Sequence, residues 1–342
     1  MSFSTKTRVG VLRGGPSPEY EVSLNTGRVI LANLPDEYEP LDIFISKDGA
    51  WHTSGQQKNP YDILKTIDVV VNALHGAYGE DGKVQKFLEN FGVPYTGSSS
   101  IASALGMNKE MSKNVFIQNG LKTPHYLMLD ASAGNEAVTD EMVNKINQNF
   151  SFPIIIKPVS SGSSLGISFV DKIGEVKEAL KKSFAHSYPN DSDGRVPKIL
   201  VEEYIAGKEA TCGVIEDFRG KGIYTLLPVE INQNKKEIFY NYDYKYNPLA
   251  DGLESRCKIP GSFKEDEKIK IEEAATLIHQ ALGLRHYSRS DFILHPKRGL
   301  FVLEVNTLPE LTHHSSFIKS LEAVGGDIKE FLSHLIEMTL RK

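Results

Sequence analysis

Arg289, Asp291, Glu304 and Asn306 lie on two short segments, SRSDFIL (Ser288 to Leu294) and LFVLEVN (Leu300 to Asn306), separated by a Pro/Gly turn from Pro296 to Gly299. Strand side chains alternate with period two, so a symmetric turn sets Asp291 opposite Glu304 and Arg289 opposite Asn306, all four on one face of a hairpin. The other face is expected to carry Phe292, Leu294, Phe301, Leu303 and Val305 and to lie on a core. Two carboxylates directly opposite each other are destabilising unless a cation sits between them. Asp, Glu and Asn oxygens are the ligands that Mg²⁺ takes together with substrate phosphates. The face is therefore a candidate metal and phosphate site, with a solvated hairpin end as the plainer alternative.

Three other segments could do chemistry. In SFPIIIKPVSSGSSLGISFV (Ser151 to Val170) an apolar strand delivers Lys157, and the loop from Ser160 to Gly166 holds two glycines and four serines. Such a loop exposes backbone N–H groups and hydroxyls without side-chain obstruction and can fold over phosphate oxygens. RGGPSPEYEVSL (Arg13 to Leu24) and HGAYGEDGKVQ (His75 to Gln85) each follow an apolar strand-like run. Either is also readable as a turn with a helix cap, for which Ser23 and Asp81 suit. Neither GxxxxGK[ST] nor GxGxxG occurs, which argues against a P-loop ATPase or a Rossmann dehydrogenase.

The bulk properties bound the class. The chain has 342 residues, 40% hydrophobic and 24% charged, enough for two or three domains with a large core. No run approaches the roughly eighteen apolar residues of a membrane span, and MSFSTKTRVGVL lacks the apolar segment of a signal peptide, so a cytoplasmic location and no membrane partner are expected. Cys212 and Cys257 give neither a disulfide framework nor zinc-ligand spacing. A net charge of -5 argues against nucleic acid as a partner.

The elements that must position these residues fall into three units. VGVL, a helix from Ser23, LDIFI, DVVVNAL and the helical KVQKFLENFG alternate in a βαβ rhythm, which predicts a parallel sheet with ligands at the carboxyl ends of its strands. A helix carrying Lys109 and Lys113 is expected from Ile101 to Gln118, ahead of the Lys157 unit. A third unit is expected to open with the strand KILVEEYI (Lys198 to Ile205) and to continue through EIFYNYDYKYN (Glu237 to Asn247), a helix from about Glu265 to Leu282, the polar hairpin, and a helix from Ser316 to Leu340.

Taken in order, GGPSPEYEVSLNTG, HGAYGEDGKVQ, PYTGSSSIASALGMNK, FPIIIKPVSSGSSLGI, VEEYIAGKEAT, YNYDYKY, SRSDFIL and LEVNTLPELTHHS resemble the D-alanine-D-alanine ligase family of the ATP-grasp superfamily, from Val9 to about Ser316. The resemblance implies an α/β ATP-grasp fold of three α/β units: an N-terminal parallel-sheet, amino-acid-binding domain at 1–98, a central subdomain with the Ser/Gly phosphate loop at 99–201, and a C-terminal subdomain with the metal and second-substrate site at 202–342. It implies that Lys109, Lys157 and Ser164 bind ATP phosphates, that Glu202 and Glu209 contact adenine and ribose beside the main chain of Glu203, Tyr204 and Ile205, and that Lys245 reaches the transferred phosphate. Asp291, Glu304 and Asn306 would hold two Mg²⁺ ions, or Mn²⁺. Glu19 would receive the ammonium of the first D-alanine in a set with Ser163 and Tyr246, His75 would sit beside that substrate, and Ser315 would receive the carboxylate of the second.

The implied reaction phosphorylates the first carboxylate with ATP; the second amine then displaces phosphate. Arg289 would stabilise developing charge and Ser163 with Tyr246 would relay the proton. The product would feed peptidoglycan synthesis, and a homodimer is implied. Members that join D-alanine to D-lactate resemble phenylalanine at the position of Tyr246, so the tyrosine favours an amine nucleophile. Two departures stand out. Glu310 occupies a position where the family has glycine beside the oxyanion, and is expected to point away from it; Asn108 stands where relatives carry Asp, which affects a local helix cap. The alternatives are a ligase for D-alanine with D-serine or D-lactate, and a nucleotide-binding protein without catalysis.

Overall fold

The computed structural model describes residues 6–131, 138–160, 165–187, 196–232 and 257–341. Ser163, Ser164, Lys245 and Tyr246, with the tyrosine-rich segment around them, lie outside the described residues.

The first sheet follows the expected βαβ order. β1 (Thr7–Gly14) runs parallel to β2 (Tyr38–Ile45) and to β5 (Val69–Asn72), while β3 (Trp51–Thr53) and β4 (Gln56–Gln57) add an antiparallel edge in the order β4-β3-β2-β1-β5. All four residues of β5 are buried, the continuous apolar signature of a strand covered on both faces. Helix α1 (Tyr20–Asn33) begins three residues before Ser23, so Ser23 is not its cap. The Ser23 hydroxyl is instead buried, accepting from Gly14 N–H and donating to the Ala73 carbonyl, both at 2.8 Å, which ties the ends of β1 and β5 together. Short α2 (Pro60–Leu64) and α3 (Lys83–Asn90) follow, and Asp81 accepts from Lys83 N–H at 3.0 Å as α3 begins.

The helix expected from Ile101 to Gln118 is two: α4 (Ser100–Met107) and α5 (Lys109–Gln118). They break at Asn108, whose carboxamide oxygen accepts from Glu110 and Met111 N–H, both at 3.1 Å, so asparagine serves as a full N-cap. The apolar faces of both helices pack on the third unit: Ala102 and Phe116 share a core with Phe292 and Val305.

The middle sheet is antiparallel, in the order β6-β9-β7-β8, from β6 (Tyr126–Asp130), β7 (Ile154–Pro158), β8 (Ser168–Val170) and β9 (Lys198–Glu203). Helices α6 (Asp140–Asn149) and α7 (Val176–Ala185) cover one face, where Met142, Ile146 and Leu180 meet Ile154, Ile156 and Val201. The alternate residues Lys157 and Glu202 therefore share the other face. The strand expected to open the third unit thus belongs to the middle sheet, and the expected boundary at 201/202 falls inside β9.

The third sheet comprises β10 (Lys208–Glu216), β11 (Ile223–Thr225), β12 (Val229–Ile231), β13 (Cys257–Lys258), β14 (Tyr287–His295) and β15 (Gly299–Asn306), with α8 (Glu265–Ala281) against it. The C-terminal helix divides at Gly325 into α9 (Ser316–Ala323) and α10 (Ile328–Leu340). Phe317, Leu321, Phe331 and Leu335 from these helices pack with Val9, Val11, Val69 and Val71, so the first and third units share one core while the middle unit has its own.

The β14/β15 hairpin pairs Arg289 with Asn306 and Asp291 with Glu304, but the register shifts between Asp291 and Phe292, which pairs with Val302. The turn is therefore not symmetric with the site: a bulge inserts Leu303 and restores the pairing beyond it. One consequence corrects the expected core face. Phe292, Leu294, Leu300, Val302 and Val305 face the helices, whereas Phe301 and Leu303 join Ile293 and Ile205 in a separate apolar patch.

Candidate active site

Two groups of side chains converge where the middle and third sheets meet, and a third lies on the first sheet. The first is built on charge. Lys113 of α5 and Lys157 of β7 bracket Glu202 of β9, with Nζ to carboxylate distances of 2.5 and 2.6 Å, and Lys109 of α5 lies 3.4 Å from Glu304 of β15. Lys109, Lys157 and Glu202 are buried and Lys113 is fully so. Burial, together with repulsion from Lys157, pushes the Lys113 ammonium down to about 8 despite Glu202. For Lys157 burial acts in the same direction, but Glu202 and Glu304 outweigh it and hold the pKa above its ordinary value. Glu202 is held low by the two lysines against its own burial. Three cations against two carboxylates leave a surplus positive charge, the balance a polyphosphate would meet.

The second group is the hairpin face. Asp291 accepts from Arg289 Nε and Nη2, both at 3.0 Å, and from Thr211 Oγ1 at 2.5 Å. Asn306 Oδ1 accepts from Leu308 N–H at 2.9 Å. Strand register puts Glu209, Thr211, Asp291, Ile293 and Phe301 in adjoining rows of this face. Among the described residues no three His, Cys, Asp or Glu cluster as a metal set. Two opposed carboxylates and a carboxamide nevertheless form an all-oxygen donor set that suits a hard cation sharing its coordination with phosphate, and does not suit zinc. Beside it, Ile205 packs with Ile293, Phe301 and Leu303 as an apolar seat at the end of β9, where Tyr204 lies edge-on to Phe169.

The third group sits at the carboxyl ends of β1 and β5. Glu19 is buried just before α1. Gly76 faces it so closely that a Cβ there would lie 2.3 Å from Ser17 Oγ and 2.6 Å from Glu19 Oε2, with φ +70° besides. His75 is buried between Thr26 Oγ1 at 2.9 Å and Glu80 Oε1 at 3.3 Å. Burial opposes its charge, yet Glu80, Glu19 and Glu310 together raise its pKa.

Glu310 therefore acts on this pocket, and its carboxylate accepts from Thr312 Oγ1 at 2.6 Å. It is not among the described residues with positive φ, so the site makes no demand for glycine's left-handed backbone. Ser315 caps α9 by accepting from Ile318 N–H at 3.2 Å, which leaves a hydroxyl proton to donate.

The structure thus gathers Lys109, Lys157, Glu202, Glu304, Asp291, Arg289 and Asn306, and places Glu19 and His75 in a neighbouring pocket that Glu310 influences. Sequence reasoning placed Lys113 on the helix with Lys109 but gave it no role, although their spacing of four puts both on one face of α5. Thr211 and Glu80 were also missed; Thr211 lacked any local signal because its partner Asp291 is remote in sequence.

The chain matches the models for the D-ala D-ala ligase C-terminus over residues 115–337 and for the D-ala D-ala ligase N-terminus over 8–63 and 53–98. It is 32% identical to a D-alanine--D-alanine ligase of Geobacillus thermodenitrificans, covering 98% of this chain and 96% of that protein. It is 35% identical to that of Geotalea uraniireducens, covering 96% and 94%. Among solved structures it resembles D-alanyl-alanine synthetase A from Vibrio cholerae (TM-score 0.81, 28% identity, 99% of both chains) and the VanG D-Ala:D-Ser ligase from Enterococcus faecalis (TM-score 0.80, 26% identity, 98% and 100%). It also resembles the Bacillus anthracis D-alanine--D-alanine ligase complexed with ATP (TM-score 0.75, 28% identity, 98% of both). The architecture is that of an ATP-grasp protein. Within that class the chain belongs to the D-alanine-D-alanine ligase family.

Proposed function

We propose that the protein joins two D-alanines to D-alanyl-D-alanine at the expense of ATP, by way of an acyl phosphate, with release of ADP and phosphate. The observation that carries this reading is the meeting of Lys109, Lys113 and Lys157 with the all-oxygen face of Asp291, Glu304 and Asn306. A cluster of buried lysines beside paired carboxylates suits a triphosphate and a divalent ion. The neighbouring Glu19 and His75 pocket suits a small amino acid whose ammonium needs a buried carboxylate.

In this reading the lysines orient the phosphates, and the base lies on Ile205 beside the main chain of Glu203 and Tyr204, with Glu209 toward the ribose. Asp291, Glu304 and Asn306 would hold Mg²⁺ or Mn²⁺, which would supply neutralisation of charge on the phosphates. Arg289 is held by Asp291 at the edge of that face, where it stabilises charge on the transferring group and on the tetrahedral oxyanion; one such donor is worth roughly 3 kcal/mol in the barrier. Glu19 orients the first D-alanine, and Ser315 receives the carboxylate of the second. The family likeness also supports a cytoplasmic homodimer serving peptidoglycan synthesis. No helix among the described residues is long and apolar enough to cross a membrane.

A second reading, D-serine as the second substrate, is favoured by the likeness to the VanG ligase. An added hydroxyl is discriminated poorly by an apolar pocket. Phosphate release from ATP and Mg²⁺ with D-alanine, with the product weighed by mass spectrometry, tests both. D-alanine-dependent release and the alanine dipeptide are expected. Release only with D-serine or D-lactate would move the second-substrate assignment, and no turnover despite ATP binding would leave a nucleotide-binding protein.

A further inference from the structure

One ion pair ties the middle unit to the tip of the site hairpin. Glu203 ends β9, and Arg298 stands in the turn between β14 and β15. Arg298 Nη1 and Nη2 donate to Glu203 Oε2 and Oε1 at 2.7 and 2.8 Å, a bidentate fork. Both partners are held elsewhere as well. Glu203 Oε1 accepts from His125 N–H at 2.9 Å, and Glu203 N–H donates to the His125 carbonyl at 3.0 Å. The guanidinium lies 4.7 Å from the Phe301 ring centroid, and the Arg298 carbonyl accepts from Lys122 Nζ at 3.1 Å. The Lys122 carbonyl in turn accepts from Val302 N–H at 2.8 Å. The linker from α5 to β6 and the end of β9 thus meet at this one turn.

Exposed ion pairs usually contribute little, and the Arg298 side chain is 47% exposed. Position sets this pair apart. Ile205 follows two residues after Glu203 and packs on Ile293, Phe301 and Leu303 of the same hairpin. The hairpin that presents Asp291 and Glu304 at its far end therefore grips β9 at its tip. We infer that Arg298, through Glu203, fixes the spacing between the base seat at Glu203 to Ile205 and the phosphate and metal face at Asp291 and Glu304, and is a positioning residue for ATP. The inference rests on the ATP-dependent reading of the site. Without the fork the end of β9 shifts against the hairpin, and base and phosphates no longer seat together. The loss falls on nucleotide binding rather than on the chemical step.

The test compares the wild type, Arg298→Ala, and the exchanged pair Glu203→Arg with Arg298→Glu. ATP dissociation constants come from calorimetry without D-alanine; KM for ATP and kcat come from turnover with it. Arg298→Ala is expected to weaken ATP binding and raise KM by about three- to tenfold, with kcat at saturating ATP within about twofold. The exchanged pair is expected to recover part of that loss, because it restores the fork but gives up the bond from His125 N–H. Wild-type ATP affinity in a folded Arg298→Ala protein overturns the inference, as does a fall in its kcat with KM for ATP unchanged. A wild type that binds ATP but releases no phosphate with D-alanine overturns the ligase reading alone, and calorimetry still decides the role of Arg298.

Discussion

Lys113 Nζ and Glu202 Oε1 stand 2.5 Å apart, with Lys157 Nζ 2.6 Å from the other carboxylate oxygen, so a single glutamate holds two buried lysines. Neither ammonium could stay charged at this depth alone, because desolvation costs several kcal/mol per ion. Glu202 thus favours the protonated form of both Lys113 and Lys157, the two lysines that the proposed reading turns toward phosphate.

Removing its charge takes away the one carboxylate that Lys113 and Lys157 share. Glu202→Gln is expected to lower unfolding free energy by about 3 to 5 kcal/mol, measured by denaturant titration at neutral pH. A change below about 1 kcal/mol would mean that the lysines find other partners or water.

In the proposed reading Lys113, with its pKa pushed down to about 8, is expected to make ATP binding pH-dependent. Its lowered value means that the folded chain binds fewer protons than the unfolded one between pH 8 and the usual lysine range near about 10.5, so stability gains from Lys113 as pH rises through that window. ATP affinity moves the opposite way. The ATP dissociation constant is expected to be flat up to about pH 7.5, to rise above about pH 8, and to level off about tenfold higher once Lys113 is neutral. Lys113→Met should bind ATP about tenfold more weakly and lose that rise; calorimetry across the pH series would show an unaltered profile if another group were responsible.

The hairpin face predicts dependence on a divalent ion. Chelation should abolish phosphate release and added Mg²⁺ should restore it. Asp291→Asn should lower kcat by about 10² to 10³, in line with the loss of one electrostatic group. Activity insensitive to chelator would refute the assignment of this face.

Glu310 lies outside the left-handed backbone region, so Glu310→Gly is expected to leave kcat within about threefold. A gain above about tenfold, or roughly 1.4 kcal/mol, would show that its carboxylate inhibits catalysis. The same change removes one of three acids that raise the His75 pKa. A raised histidine pKa stabilises the fold below the unfolded value near about 6.5 and loses that effect as pH rises through the folded value. The stability deficit of the variant relative to the wild type should therefore be larger at about pH 6 than at about pH 9, as denaturant melts would show.

Local pattern made the βαβ start, the polar hairpin and its opposed pairs Asp291/Glu304 and Arg289/Asn306 legible, because period-two alternation and a turn are properties of adjacent residues. The bulge at Leu303 was not, since either register leaves an apolar side chain on each face; the packing of Ile205 on Phe301 and Leu303 shows the choice. The same limit hid the sheet to which Lys198 to Glu203 belongs, because its pairing with β6 and β7 depends on strands that are distant in sequence. Asn108 was read as a weak cap, and only the break between α4 and α5 shows its carboxamide taking two N–H groups.

The sequence by itself determined which chemical groups the protein possesses, and its ordered motifs determined the family. Tertiary structure decided which groups meet. Lys113, Lys157 and Glu202 come from a helix and two strands, and their charges adjust only when burial removes the water that would have screened them.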